Sequence, residues 1–272
     1  MVMAEVAIGI VGAAGRMGQM LIKQVGETPG AKVVAASEAP NGASVGKDAG
    51  ELAGVGRLGV PISGSPDLVF ERSRVVIDFT VPKATVAHVE LAAERGTAMV
   101  IGTTGLSAEE GARIKAAAAK APIMWADNMS VGVTLLAELV RKVAATLDPA
   151  YDIEIVEMHH RHKVDAPSGT ALLLGRAAAA GRNVDLAKVS ARGRDGITGA
   201  RKAGDIGFAS LRGGDVVGDH TVVFAAQGER LELGHRASSR QLFAQGAVRA
   251  ALWVADRGPG LYSMKDVLGL TT

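Results

Sequence analysis

The chain of 272 residues contains no cysteine. Disulfides, thiolate metal sites and mechanisms that run through a nucleophilic thiol are therefore excluded. Aromatic residues make up only 3%, too few for platforms on which nucleic-acid bases stack. The formal net charge is +2, too small to point to nucleic acid or an anionic membrane surface. No apolar run reaches the ~18 residues of a membrane span, and Met1–Glu5 lacks the basic start and cleavage site of a signal peptide. What remains is a balance of 48% hydrophobic and 21% charged residues, that of a soluble globular chain long enough for two domains. The expectation is a cytoplasmic enzyme or ligand-binding protein, with neither nucleic acid nor membrane as partner.

Short aliphatic runs alternate with Ala-rich helical stretches in the first half. Val6–Val11 reads as a buried strand because it is apolar, short and followed by glycines. A helix is predicted from about Arg16 to Val25. Further strands are predicted at Ala31–Ala36, Val75–Phe79 and Ala98–Ile101, with helices at Thr85–Arg95 and Ala108–Ala119. This alternation predicts an α/β class with a Rossmann-like, doubly wound parallel sheet. After Ser130, a plausible N-cap, a helix is expected to about Leu147. Tyr151–Glu157 then alternates as a half-exposed strand does. Candidate strands at Gly207–Leu211, His220–Ala225 and Arg230–His235 are separated by short turns and read as antiparallel, and Ser238–Val254 reads as a helix. The expected domains are 1–130 plus 240–272, and a second, α+β domain at 131–239.

Gly12-Ala13-Ala14-Gly15-Arg16-Met17-Gly18 lies between a predicted strand and a predicted helix. Small residues there allow a tight turn, close approach of backbone to a pyrophosphate, and close packing of helix on sheet. The helix N-terminus then offers N–H groups and positive dipole to phosphates. Glu38 ends the next strand about 20 residues after the glycines, where an acid binds ribose hydroxyls in dinucleotide folds. Gly102-Thr103-Thr104-Gly105 closes the fourth strand at the edge where such sheets bind ligands. Taken alone, either glycine stretch is also compatible with a plain turn.

The most informative stretch is Glu157-Met-His159-His160-Arg161-His162-Lys163-Val-Asp-Ala-Pro167-Ser168-Gly169-Thr170-Ala171. Basic side chains follow a strand, and a proline and a cap lead into a helix expected at Thr170–Ala180. Ser168, Gly169 and Thr170 fall at the helix start, where backbone N–H groups can hold a carboxylate. Lys163 and the histidines add charge and transferable protons. The combination suits an anionic substrate that also needs protonation; the alternative is a solvated basic loop. Without cysteine or ordered carboxylate spacing, the histidines are not expected to bind metal. Arg192, Arg194, Arg201 and Lys202 read as a solvated loop rather than a nucleic-acid patch.

With these motifs in place, the chain resembles the 4-hydroxy-tetrahydrodipicolinate reductase (dihydrodipicolinate reductase) family along nearly its whole length. The match includes Gly12–Gly18, Asp78–Thr80, Gly102–Gly105, Asn128–Val133 and Glu154–Ala171. It continues through Gly204–Gly207, Arg212–Gly214, Gly218–His220, His235–Arg240 and Gly260–Leu268. The string from His159 to Thr170 is highly specific to that family. The resemblance implies a homotetramer whose second domains build the interfaces. It also implies reduction of a small cyclic dicarboxylate by NADH or NADPH, on the route to diaminopimelate and lysine. It assigns His159 as proton donor or acceptor and Lys163 as proton donor. His160, with the backbone of Gly169 and Thr170, is implied to hold carboxylate, with Arg240 and Arg161 as weaker substrate contacts. Ala126-Asp127-Asn128-Met129 is carried over as a contact to the nicotinamide end.

Two positions depart from the pattern. Ala39 stands where relatives often carry a basic residue for a 2′-phosphate, so NADH is expected to serve at least as well as NADPH. Asp127 puts a carboxylate in the nicotinamide segment, and nothing in the sequence explains it. The competing readings are a homoserine or semialdehyde dehydrogenase, the latter needing the absent cysteine, and a non-catalytic dinucleotide sensor. A sensor has no use for Lys163 and His159 beside an anion-binding helix start.

Overall fold

Alternating buried runs and helices build the first part of the computed structural model, which describes residues 5–270. The start read above for a leader, Met1–Ala4, lies outside the described residues. The order is β1 (Val6–Val11), α1 (Arg16–Gly26), β2 (Ala31–Ser37), α2 (Ala49–Leu52), β3 (Ile62–Ser63) and α3 (Asp67–Arg72). It continues with β4 (Val75–Asp78), α4 (Pro82–Arg95), β5 (Ala98–Ile101), α5 (Ala108–Ala117) and β6 (Pro122–Trp125). Next come α6 (Val131–Thr146), β7 (Asp152–His159), α7 (Gly169–Gly181), α8 (Leu186–Val189), β8 (Ser190–Arg192) and β9 (Ile206–Arg212). The last elements are β10 (Gly218–Ala226), β11 (Glu229–Ala237), α9 (Gln241–Val254), β12 (Gly260–Tyr262) and α10 (Met264–Val267). The chain divides into two compact units, one of residues up to 130 together with those from 241 onward, the other of residues 131–240.

In the first unit a seven-stranded sheet among the described residues runs β12-β6-β5-β4-β1-β2-β3, with every pairing parallel. The strand order reverses between β1 and β4, and loops at the carboxyl ends flank the crevice where such sheets take ligands. Ile8, Ile10, Val75, Val76, Ile77, Met99, Val100 and Ile101 are fully buried, because a parallel sheet is covered on both faces. Helix α4 begins at Pro82, three residues before the predicted start; the ring's fixed φ suits the first helical position, where no N–H is needed. Ser107 and Glu110 form a capping box on α5.

The second unit is a five-stranded sheet among the described residues, ordered β11-β10-β7-β9-β8. Helices α6 and α7 share a core with one face of it, through Leu136, Val140, Leu174 and Ala178 against Ile153, Ile155, Phe208, Val222 and Phe224. Gly181 permits their close packing, since a Cβ there would lie 2.3 Å from the carbonyl oxygen of Arg141. On the other face, strand alternation sets the half-buried Val156, Met158 and Val223 beside the exposed Leu211. One expectation is corrected. Strands β10 and β11 are antiparallel, but β9 runs parallel to both β7 and β8. The α7–α8 segment carries the chain back to the start of the sheet, as a parallel pairing requires. In the basic run Arg192, Arg194 and Lys202 are exposed, as a solvated loop requires, but two of its arginines also pair with β7. Arg201 donates to Asp152 and Glu154 at 2.7 and 2.8 Å, and Arg194 joins Glu154 at 2.8 Å.

Among the described residues, no helix is long and apolar enough to cross a membrane.

Candidate active site

The glycines after β1 each answer a different steric demand. Gly12 has φ +69°, and a Cβ there would lie 2.7 Å from the Thr80 methyl. A Cβ on Gly18 would lie 2.2 Å from the Gly12 carbonyl oxygen and 2.7 Å from Ala13 Cα. Gly15 is the N-cap of α1, whose first turn carries no side-chain cap and no acidic residue. This backbone cradle with an uncapped helix start at Arg16 and Met17 fits the pyrophosphate of a dinucleotide. Glu38 follows β2 and accepts from Ala14 N at 3.0 Å and from its neighbour Ala39 N at 2.9 Å. Two backbone N–H groups thereby hold the carboxylate beside the turn, with lone pairs left for ribose hydroxyls.

The loops after β4, β5 and β6 meet at the same edge of the sheet. Asp78, fully buried, accepts from Thr80 N at 2.8 Å, from Thr80 Oγ1 at 2.6 Å, from Thr103 Oγ1 at 3.2 Å and from His88 Nδ1 at 2.8 Å. Thr103 therefore anchors the 102–105 loop, while Thr104 is exposed. Gly102 lies against the Phe79 ring, where a Cβ would sit 2.3 Å from it. Ala126 N donates to Ile101 O at 3.2 Å. Asn128 Oδ1 accepts from Ser130 N at 2.8 Å, Met129 is buried, and Asp127 is exposed.

In the second unit the chemistry grows out of strand alternation. Ile153 and Ile155 of β7 point into the core, and the same face then carries Glu157 and His159. The strand runs two residues past its predicted end, so His159 closes β7 instead of lying in the loop. Glu157 is 1% exposed and His159 7%. The Glu157 carboxylate accepts both Arg212 guanidinium nitrogens at 2.8 Å, His159 Nδ1 at 2.5 Å and Ser168 N at 3.2 Å. Burial works to raise this carboxyl, but hydrogen bonds from Arg212, His159 and Ser210 outweigh it and hold it below the ordinary glutamate range. Burial lowers the His159 imidazole despite the opposing pull of Glu157, with Lys163 and Arg212 adding to the decrease. This shift favours the neutral form of the His159 ring. Because an ionised carboxylate only accepts, Nδ1 carries the proton and Nε2 carries the lone pair. Nε2 faces Gly218, where a Cβ would stand only 2.9 Å away.

Around this centre, His220 packs edge-on to His159 with ring centroids 5.1 Å apart, and its Nε2 lies 3.0 Å from Ser168 Oγ. Burial, followed by the nearby His159, lowers His220 to about 4. Lys163 Nζ sits 2.7 Å from Asp165. His160 Nε2 lies 3.4 Å from Arg240 Nη2. Ser168 caps α7, its Oγ accepting from Ala171 N at 3.1 Å and its carbonyl from Leu172 N at 2.9 Å. Gly169 opens the helix, is exposed and has open space where a side chain would stand. No acidic residue occupies that first turn.

Comparison with known proteins decides the family. The model of "Dihydrodipicolinate reductase, N-terminus" matches residues 6–129, and that of "Dihydrodipicolinate reductase, C-terminus" matches residues 132–268. The chain belongs to the dihydrodipicolinate reductase family. A 4-hydroxy-tetrahydrodipicolinate reductase of Rhodopseudomonas palustris (strain BisB18) is 58% identical over 99% of each chain. That of Rhizobium rhizogenes (strain K84 / ATCC BAA-868) is 57% identical over 97% of this chain and 96% of its own. Among solved structures, a dipicolinate-bound dihydrodipicolinate reductase from Paenisporosarcina sp. TG-14 superposes with a TM-score of 0.76. It is 25% identical and covers 95% of this chain and 97% of its own.

Within this reductase family member, His159, His160, Lys163, Gly169, Thr170 and Arg240 all fall in the second unit, on the end of β7, the start of α7 and the approach to α9. Arg161 stands apart: its side chain is exposed and makes no hydrogen bond or ion pair among the described residues. The residues Gly12–Met17, Glu38, Gly102–Thr104 and Ala126–Met129 fall in the first unit. Reading the sequence gave no role to Glu157, Arg212, His220, Asp78 or His88. Period-two alternation would have placed Glu157 beside His159. Nothing local links Arg212 to either, because only the β7–β9 register, which pairs His159 with Arg212, brings it there.

Proposed function

We propose that the chain reduces 4-hydroxy-tetrahydrodipicolinate to tetrahydrodipicolinate with NADH or NADPH, with loss of water, in diaminopimelate and lysine biosynthesis. The observation that carries this reading is the juxtaposition of a buried, carboxylate-held His159 with the open, acid-free start of α7. On this reading Gly12–Met17 and Glu38 hold the dinucleotide, with Gly102–Thr104 and Ala126–Met129 toward its nicotinamide end. When bound, the reduced nicotinamide supplies the hydride. Hydride arriving at a carbon conjugated with an imine leaves negative charge, which the Lys163 ammonium stabilises and protonates. His159, with Nε2 unprotonated, exchanges a proton with the substrate. His160 and the first turn of α7 at Gly169 and Thr170 take a carboxylate, with Arg240 beside His160 adding positive charge. Arg161 is a peripheral contact at most on this scheme. The apolar sheet face of Val156, Met158, Leu211 and Val223 supports a homotetramer joined through the second units. A reaction fed by this cofactor belongs, on the same reading, to the cytoplasm.

The test is oxidation of NADH that depends on the condensation product of pyruvate and aspartate semialdehyde. Pyridine-2,6-dicarboxylate, planar and with two carboxylates at matching positions, is expected to inhibit competitively with the dicarboxylate substrate. Inhibition competitive with NADH alone would mean that the anion site is wrongly assigned.

Cofactor preference follows from Glu38. The carboxylate is pinned by Ala14 N and Ala39 N, so it does not readily swing away from a 2′-phosphate. Like charges at ~4 Å repel by about 4 kcal/mol per unit pair near a surface, before salt and rearrangement reduce this. Ala39-Pro40-Asn41 offers no compensating cation. NADH is therefore expected to give a kcat/KM at least equal to that with NADPH, and Ala39→Arg to shift the ratio toward NADPH. A wild-type preference for NADPH of about tenfold or more, equal to about 1.4 kcal/mol, would show that Arg16 or Lys47 serves the phosphate instead.

A further inference from the structure

Near the end of β7 four hydrogen bonds converge on one buried carboxylate. Glu157 is 1% exposed, yet it accepts from a guanidinium, an imidazole and a backbone N–H that belong to three different segments. We infer that Glu157 is the positioning residue of this site: clamped by Arg212, it fixes the tautomer of His159 and ties that ring to the start of α7. The inference rests on the reading that His159 exchanges a proton with the substrate.

The geometry leaves each partner little freedom. Arg212 meets both carboxylate oxygens at 2.8 Å, the planar fork geometry that a lysine cannot reproduce. A further bond from Arg212 Nη2 to the Asp165 carbonyl oxygen, at 2.6 Å, ties the 160–167 loop to the same fork. Oε2 is thereby aimed at His159 Nδ1 and Oε1 at Ser168 N. With Nδ1 as donor, the lone pair lies on Nε2, on the side of the ring that packs against Gly218. Ser168 passes the order onward, since its Oγ caps Ala171 N and meets His220 Nε2. One carboxylate thus registers the proton-transfer group against the helix start that takes the anion. Moving either would misplace the other, and proton transfer is sensitive to such placement.

The groups facing the His159 ring are Glu157 on its own strand, Arg212 from β9, His220 from β10 with His235 beyond it on β11, and Lys163 in the following loop. Glu157 is the one carboxylate in this set. A glutamine at 157 retains a single acceptor oxygen, and its NH2 faces Arg212 together with either His159 Nδ1 or Ser168 N, so it cannot serve all three donors.

The experiment combines nitrogen NMR of ¹⁵N-histidine-labelled protein with kinetics. In the wild type, the His159 signals are expected to be those of the Nδ1–H tautomer near neutral pH; an Nε2–H ring would overturn the proposal without any variant. In Glu157→Gln the signals are expected to move toward a mixture of tautomers and the pH profile of kcat to shift. The same variant should lower kcat by about tenfold, a fraction of the about 10²–10⁴ that positioned proton transfer contributes. Glu157→Asp, which keeps the charge, should recover part of the loss. In a His159→Gln background, Glu157→Gln should cost little more, because a residue acting through another adds nothing once that partner is gone. Full additivity would overturn the proposal, as would an unchanged tautomer and kcat in Glu157→Gln. Near-normal activity in His159→Gln alone would instead sink the underlying reading of His159. Should Glu157→Gln fail to fold, Arg212→Lys tests the same fork, with a smaller tautomer shift expected and none overturning it.

Discussion

Lys163→Met is expected to lose most turnover while binding dinucleotide as the wild type does. Lys163 lies in the loop after β7 in the second unit, whereas the glycine-rich turn and Glu38 lie in the first. Its ammonium is 2.7 Å from Asp165, an exposed carboxylate that it holds below the ordinary aspartate range. Losing that surface pair costs little stability, because exposed ion pairs contribute about 0–1 kcal/mol. Losing a positioned proton donor costs about 10²–10⁴ in rate. Lys163→Arg separates the two parts of the role. Arginine retains positive charge but does not release a proton at any working pH. If Lys163 is the donor, both variants are slow; recovery in Lys163→Arg would make the role purely electrostatic. Near-normal kcat in Lys163→Met, with NADH binding measured by fluorescence and unchanged, would remove Lys163 from the mechanism.

How far such residues can be read from sequence depends on the range of the interaction that places them. The glycine turn, Glu38 and the run from His159 to Thr170 are local patterns, and their chemistry is visible in spacing alone. The seven-stranded sheet is less so. Strand β6 opens on Pro122 directly after an Ala-rich helical stretch, and β12 has only three residues; neither is set off as an aliphatic run in the way β4 and β5 are. They are strands because β5 offers an edge to β6, and β6 in turn offers one to β12. The orientation of β9 is hidden from the sequence for a related reason. Short turns suggest hairpins, whereas its true partner β7 lies across the whole α7–α8 segment. Arg212 follows from that pairing: its bond to Glu157 spans 55 positions, and no local signal could supply it. The Asp78–His88 pair has a similar origin, joining the end of a strand to the inner face of the next helix.

The glycines after β1 should separate cofactor binding from stability, and Gly18→Ala is expected to give the larger loss of stability. A Cβ on Gly18 would lie 2.2 Å from the Gly12 carbonyl oxygen and 2.7 Å from both Ala13 Cα and its carbonyl oxygen. All three are backbone atoms, so α1 must move away from β1. Overpacking of this kind costs about 1–3 kcal/mol, and each kcal/mol lowers Tm by about 2–4 °C in a domain of this size. The displaced helix start should also weaken NADH binding, because its N–H groups no longer point where the pyrophosphate lies. Gly15 behaves differently. A Cβ there meets only the Gly12 carbonyl oxygen, at 3.2 Å, which a shift of a few tenths of an ångström relieves. Gly15→Ala should therefore melt close to the wild type, yet bind NADH more weakly, because its methyl group occupies the surface the pyrophosphate approaches. Calorimetry and fluorescence titration of the two variants give the comparison. A Gly15→Ala variant that binds NADH normally would mean that the pyrophosphate does not pass over this turn. Equal melting temperatures for Gly18→Ala and wild type would mean that α1 can shift on the sheet without cost, and that close helix–strand packing is not what requires glycine there.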